Sequence, residues 1–107
     1  MPKFLVLYLA PVSAEQQMNV SAEDRQKGME PWMKWMEKCG KALLDGGSPL
    51  GRGKRFSKSG AGEAKSEITG YSVLQVENMD AAKKLIVDHP HLMIPGFSVE
   101  VFEFLPM

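Results

Sequence analysis

The chain is 107 residues long, 44% hydrophobic and 24% charged, the size and balance of one globular domain and far from the compositions that stay disordered. Thirteen basic and thirteen acidic side chains cancel, so no net field is available to gather nucleic acid or an anionic membrane surface. The single Cys39 excludes an internal disulfide, and the longest apolar run, Phe4 to Ala10, is far short of the roughly 20 residues that span a bilayer. Pro2-Lys3 lacks the charged start of a signal peptide, and a cytoplasmic protein is expected.

The first element is a strand, Lys3 to Ala10, apolar on both of its alternating faces. A sheet built on it needs two apolar coverings, and a chain of this size supplies helices for one; a second copy, giving a homodimer, is expected on the other. Pro11 ends the pairing, and a polar connection is expected from Glu15 to Val20. Ser21 is placed to cap a helix whose first turn carries Glu23 and Asp24, favourable at the positive end of the helix dipole. Met29, Trp32, Met33, Met36 and Gly40 fall on one stripe at helical spacing, predicting that this stripe packs inward. Pro31 removes a backbone donor and predicts a kink or break, and Gly40 a stop.

From Gly40 to Gly62 the chain holds seven of its ten glycines. Ala42-Leu43-Leu44 and Lys54-Arg55-Phe56 read as short strand pieces, and Ser57 to Ala64 as an exposed tip. Strand alternation returns at Ile68 to Val76, with Tyr71, Val73 and Gln75 on one face and Ser72, Leu74 and Val76 on the other. Asn78 caps a second helix on which Ala82, Leu85, Ile86 and His89 share a face, Pro90 ends it, and a last strand runs from Phe97 to Phe104. The order is β-α-β-β-α-β, a ferredoxin-like α+β fold with an antiparallel sheet, both helices on one sheet face, and the first and third strands central.

Asp45 stands out among the carboxylates because it follows Leu43-Leu44 and precedes two glycines that let backbone approach a ligand closely. It is either a general base or a turn residue accepting a backbone hydrogen bond. His89 offers proton transfer or, more simply, capping and packing; His91 is expected to be solvated. Tyr8, Trp32, Trp35 and Tyr71 are candidates to line an apolar pocket, with Trp35, off the main stripe, at its rim or in a partner contact. Arg52, in the glycine-rich stretch with Lys54, Arg55 and Lys58, is a candidate to receive a substrate anion. The glycines match no phosphate-cradling or dinucleotide motif, the His and Cys spacing matches no metal site, and no cofactor is implied. Two functions remain open: proton-transfer chemistry of isomerase, lyase or hydrolase type on an apolar acid, or a non-catalytic module that binds a metabolite. RNA binding is disfavoured, since Thr69 to Leu74 lacks the interleaved aromatic and basic residues that stack bases.

Taken together, Lys3 to Tyr8, Trp32-Met33-Lys34-Trp35 leading to Gly40 and Leu43-Leu44-Asp45-Gly46-Gly47-Ser48-Pro49-Leu50, Gly70 to Val73, Asp80-Ala81-Ala82, His89-Pro90 and Val99-Glu100-Val101 resemble the YCII-related family, which includes the DGPF-domain proteins. The resemblance runs over nearly the whole chain as one domain, 1–107, and implies a dimeric α+β barrel in which two sheets pack face to face. Ser59-Gly60-Ala61-Gly62 stands where the DGPF proteins carry their namesake residues. Some relatives set a histidine on the first helix against an aspartate; Asp45 matches the aspartate, but no histidine precedes His89, so that pair is not carried over.

Overall fold

The computed structural model describes residues 1–107. Strand β1 (Lys3–Leu9) is followed by a short helix α1 (Ala14–Met18), the long helix α2 (Ala22–Cys39), strand β2 (Leu43–Asp45), a hairpin of β3 (Lys54–Ser57) and β4 (Gly60–Glu63), strand β5 (Ile68–Gln75), helix α3 (Met79–Ile86) and strand β6 (Ser98–Glu103). The main sheet has the order β2-β5-β1-β6 with every neighbouring pair antiparallel. This arrangement is compatible with a ferredoxin-like fold, and β1 and β5 are its central strands.

Alternation along β1 and β5 divides the sheet cleanly. Phe4, Val6 and Tyr8 of β1, with Leu74 and Val76, form one buried cluster with Trp35 and Cys39 of α2 and Ala82 and Ile86 of α3. Burial of each large apolar side chain contributes roughly 1.5–3 kcal/mol. The side chains between them face the other way. Leu5 lies opposite Val73 and Phe102, and Leu7 opposite Tyr71 and Glu100; no element of the chain covers this second face, and Phe102 is 52% exposed.

The caps at Ser21, Gly40 and Asn78 fall at the expected residues. Ser21 accepts from the Asp24 amide at 3.1 Å, and Asn78 from the Ala81 amide at 2.9 Å. Gly40 closes α2 at φ 54°, a left-handed backbone that glycine adopts without steric cost.

Four expectations need correction. Helix α2 runs through Pro31 as one 18-residue element; every residue from Met18 to Pro31 is exposed, so water can serve the Lys27 carbonyl that proline leaves without a donor. The inward arc of α2 is Trp35 and Cys39, not the methionine stripe: Met29, Met33 and Met36 are 53%, 60% and 37% exposed. The helix meets the sheet only along its C-terminal half, and Met36 lies about 100° round the helix from Trp35. The connection after Pro11 contains α1, closed by reciprocal hydrogen bonds between Ser13 and Gln16, a capping box. Finally, Ser57 to Ala64 is exposed as expected, but it is not a bare tip: it supplies the turn and β4 of a two-stranded hairpin.

Candidate functional site

The cavity beside Trp32 has a volume of about 530 Å³. Met29, Trp32 and Met36 of α2 form one wall and Met18 of α1 another, Tyr8 and Thr69 belong to its floor, and the chain from Asp45 to Pro49 makes its outer edge. That edge hugs β5. Pro49 bridges to Gly70, and the Leu50 amide donates to the Thr69 carbonyl at 3.0 Å. The approach depends on Gly47, which has φ 83° and whose position leaves no room for a side chain, since a Cβ there would lie 1.5 Å from the Tyr71 carbonyl oxygen.

Proton accounting fixes how the polar groups around the floor are used. Ser72 donates its only hydroxyl proton to the Gly46 carbonyl at 2.9 Å, so in the 2.8 Å contact between Ser72 and Tyr8 the phenol is the donor. Burial pushes the Tyr8 phenol up to about 12, which keeps it un-ionised at neutral pH. Tyr8 is thus a fixed structural donor that ties β1 to the cavity edge through Ser72. Thr69 Oγ1 donates to the Tyr8 carbonyl at 3.2 Å.

Asp45 is exposed and its two oxygens are both engaged: Oδ1 accepts the Gly47 amide at 2.8 Å, and Oδ2 accepts the Tyr71 hydroxyl at 3.1 Å. The first bond is the turn interaction that an Asp before glycines favours. The hydrogen bond to Asp45, and then the carboxylate charge, raise the Tyr71 phenol above its ordinary range.

His89 does not lie on α3, which ends at Ile86; it caps the 3-10 turn Pro90–Met93, its Nδ1 accepting the His91 amide at 3.0 Å. A neutral ring that accepts at Nδ1 carries its proton on Nε2, and Nε2 is buried without a partner. The rings of Trp35, Trp32 and Tyr8 enclose it at centroid distances of 4.3, 4.5 and 4.9 Å. Leaving such a donor unpaired costs about 1–3 kcal/mol, of which a ring face recovers part. His91, expected in solvent, is 4% exposed: its Nε2 donates to the Leu9 carbonyl at 2.8 Å, so the loop folds back onto β1 and its imidazole reaches the cavity.

Burial, then the charge of His91, hold the His89 imidazole down at about 4, with Asp88 opposing. The unfolded chain therefore takes up this proton first as pH falls, near 6.5. Stability contributed by neutral His89 is present above that value and is lost between about 6.5 and 4, amounting to about 3 kcal/mol at most. Chemical denaturation at pH 7.0 and pH 4.5 is expected to show this loss in the native chain and much less of it in His89→Asn; equal losses in both would assign the effect elsewhere. Asp88, held below the ordinary carboxylate range by its hydrogen bond to Lys38, adds its own loss only at lower pH.

Of the candidate residues, Tyr8, Trp32 and Asp45 line the cavity, Tyr71 borders it on strand β5 with its side chain on the uncovered face opposite Leu7, and Trp35, Arg52 and His89 do not line it. Trp35 is 4% exposed and pins α2 to α3 by donating from Nε1 to the Leu85 carbonyl at 2.7 Å. A ring on the buried arc of α2 cannot serve as a pocket rim. Arg52 borders a second hollow of about 550 Å³ at the base of the hairpin, and its Nε donates to Glu15 Oε1 at 2.9 Å. Cys39 is buried in the core, and burial pushes its thiol up to about 11. No group of three or more His, Cys, Asp or Glu side chains is placed to hold a metal ion.

The structure adds Arg25 and Gly28, both on the cavity lining. Arg25 makes no ion pair, and nothing in its sequence neighbourhood marks it. Ser72 was legible as a hydroxyl on an inward strand face, where it must find a partner. No helix is long and apolar enough to cross a membrane. Comparison with protein-family models finds no match, and comparison with curated proteins finds none either.

Proposed function

We propose that this chain is a small-molecule-binding protein of the YCII-related type. Two copies pair through the uncovered faces of their sheets as a dimeric α+β barrel, and each copy holds an apolar carboxylic acid in the cavity beside Trp32. The observation that carries the binding reading is the cavity itself, about 530 Å³ with a Trp and Met wall; its lining holds Arg25, which makes no ion pair, together with Asp24 and with Asp45, whose two oxygens are already engaged. Such a site suits a flat or acyl body with one anionic end. Leu5, Leu7, Tyr71, Val73 and Phe102 on the uncovered sheet face support the pairing, since an apolar patch of this kind is characteristic of an interface.

Binding without turnover is the reading favoured by the carboxylate, because both Asp45 oxygens are already engaged and the residue holds a turn. Proton transfer with Asp45 and His89 as the catalytic groups is the second reading, favoured by the unpartnered Nε2 of His89. The ligand in either case is a small molecule; nucleic acid and membrane are not proposed as partners.

Gly28 provides the test. It lines the cavity, and a Cβ built there meets nothing within 4 Å, so Gly28→Leu starts its side chain in open space and adds apolar bulk at the lining. Replacing a mid-helix glycine also favours the helix by about 1 kcal/mol. With phenylacetate as the probe in a calorimetric titration, the native chain is expected to bind and Gly28→Leu to lose binding while melting no lower. Equal affinity in both proteins would place the ligand outside this cavity.

A further inference from the structure

Resting on the ligand-binding reading of the cavity, we infer that His89 is a reserve hydrogen-bond donor to the ligand, screened from the cavity by Trp32 and reached when that ring swings aside. His89 is 0% exposed, and its Nε2 is a buried polar side-chain atom that lacks a partner. The ring is not free to turn, because Nδ1 is held by the His91 amide at 3.0 Å. A donor fixed in direction that meets at best a ring face, with no oxygen or nitrogen to receive it, is open to a partner supplied by a ligand.

The three rings around it differ in how they are anchored. Trp35 is tied through Nε1 to the Leu85 carbonyl, and Tyr8 is tied through its hydroxyl to Ser72. Trp32 makes no side-chain hydrogen bond, is half-buried, meets Tyr8 and His89 edge to face at 4.8 and 4.5 Å, and lines the cavity. Of the three rings it alone both borders the cavity and lacks a hydrogen-bond anchor, which makes it the partition of this proposal. On this proposal, displacing it lets Nε2–H donate to an acceptor on the ligand, a carboxylate or carbonyl oxygen, and leaves the indole to stack on the ligand body. The step makes one hydrogen bond and no covalent change. Its chemical consequence is selectivity: an acceptor-bearing aromatic is preferred over the same ring without one.

Phenylacetate and toluene separate the two, since they share the ring and differ in the acceptor. In His89→Asn the shorter side chain keeps an oxygen able to accept the His91 amide but has no atom at Nε2. Its affinity for phenylacetate is expected to fall about tenfold with toluene unchanged, a loss equal to one ordinary hydrogen bond of about 1.4 kcal/mol. Equal losses for both probes, or none, overturn the assignment. Should His89→Asn fail to fold, imidazole proton–nitrogen spectra of the native chain decide: the His89 Nε2 proton shifts to a hydrogen-bonded position with phenylacetate and not with toluene, and a bound phenylacetate that leaves it unmoved overturns the assignment. If the native chain binds neither probe, the cavity reading fails, and Trp32→Ala still tests the partition. Exchange of the His89 Nε2 proton with water is then expected to quicken about tenfold or more as the closed state is lost; an unchanged rate overturns it.

Discussion

Leu7→Asp is expected to leave a folded monomer where the native chain sediments as a dimer. Leu7 sits on the central strand, on the face turned away from the helices, flanked by Tyr71 on one side and Glu100 on the other. In the proposed pairing, its side chain and the symmetry mate both lie in the interface, so one substitution introduces two carboxylates there. Each unpaired, desolvated charge costs several kcal/mol; even about 4 kcal/mol in total weakens association about a thousandfold. The fold itself is spared because the core is built from the alternate residues Phe4, Val6 and Tyr8. Sedimentation equilibrium at micromolar concentration checks the mass, and far-ultraviolet circular dichroism checks the fold. A native chain that is already monomeric, or a variant of unchanged mass, would remove the barrel from the account.

Gly47→Ala is expected to be the most disruptive of the small substitutions. The added methyl would meet the Tyr71 carbonyl at 1.5 Å on a backbone with φ 83°, so the edge chain must lift off β5 or β5 must yield. Lifting it strains the Gly47 amide bond to Asp45, the Ser72 bond to the Gly46 carbonyl and the Pro49 bridge to Gly70 together. The combined cost is about 3 kcal/mol or more, an amount that comes from strain at a special backbone conformation plus loss of partners, and lowers the melting temperature by roughly 12–20 °C in a domain of this size. Gly62→Ala in the hairpin is the control, since a Cβ there meets nothing within 4 Å; its melting temperature is expected to stay within a few degrees of the native chain. A mild Gly47→Ala would mean that the cavity edge does not depend on the close approach seen here.

The large elements were readable because their signals are local and periodic. The unbroken apolar run in Lys3–Leu9 and the alternating faces of Ile68–Gln75, with caps at Ser21, Gly40 and Asn78, mark the two central strands and the helices α2 and α3. The Met29, Trp32, Met36 stripe does not mark the core because the apolar residues of α2 meet two surroundings: Trp35 and Cys39, off that stripe, enter the core, while Met29, Trp32 and Met36 line the cavity. Hydrophobic spacing alone does not separate a core from an apolar hollow. Helix α1 was signalled by the Ser13 to Gln16 spacing but hidden in a run too short and polar to register as periodic. The site was less legible still. Its polar frame joins Tyr8, Ser72 and the Gly46 carbonyl across 64 and 26 residues of chain, and the sheet register alone brings them together. His91 looked like a loop residue because nothing local shows that the loop folds back onto the Leu9 carbonyl.

The functional reading stands on the cavity beside Trp32, and the two tryptophans make the direct measurement. Their indole N–H resonances are to be followed while the native chain is titrated with phenylacetate. Trp32 lines the cavity, whereas Trp35 is buried and bound to the Leu85 carbonyl. A saturable shift of the Trp32 signal, with Trp35 moving much less, is the expected result. A Trp32 signal that stays in place at saturating phenylacetate, or bound probe reported only by residues of the hairpin and the uncovered sheet face, would contradict it.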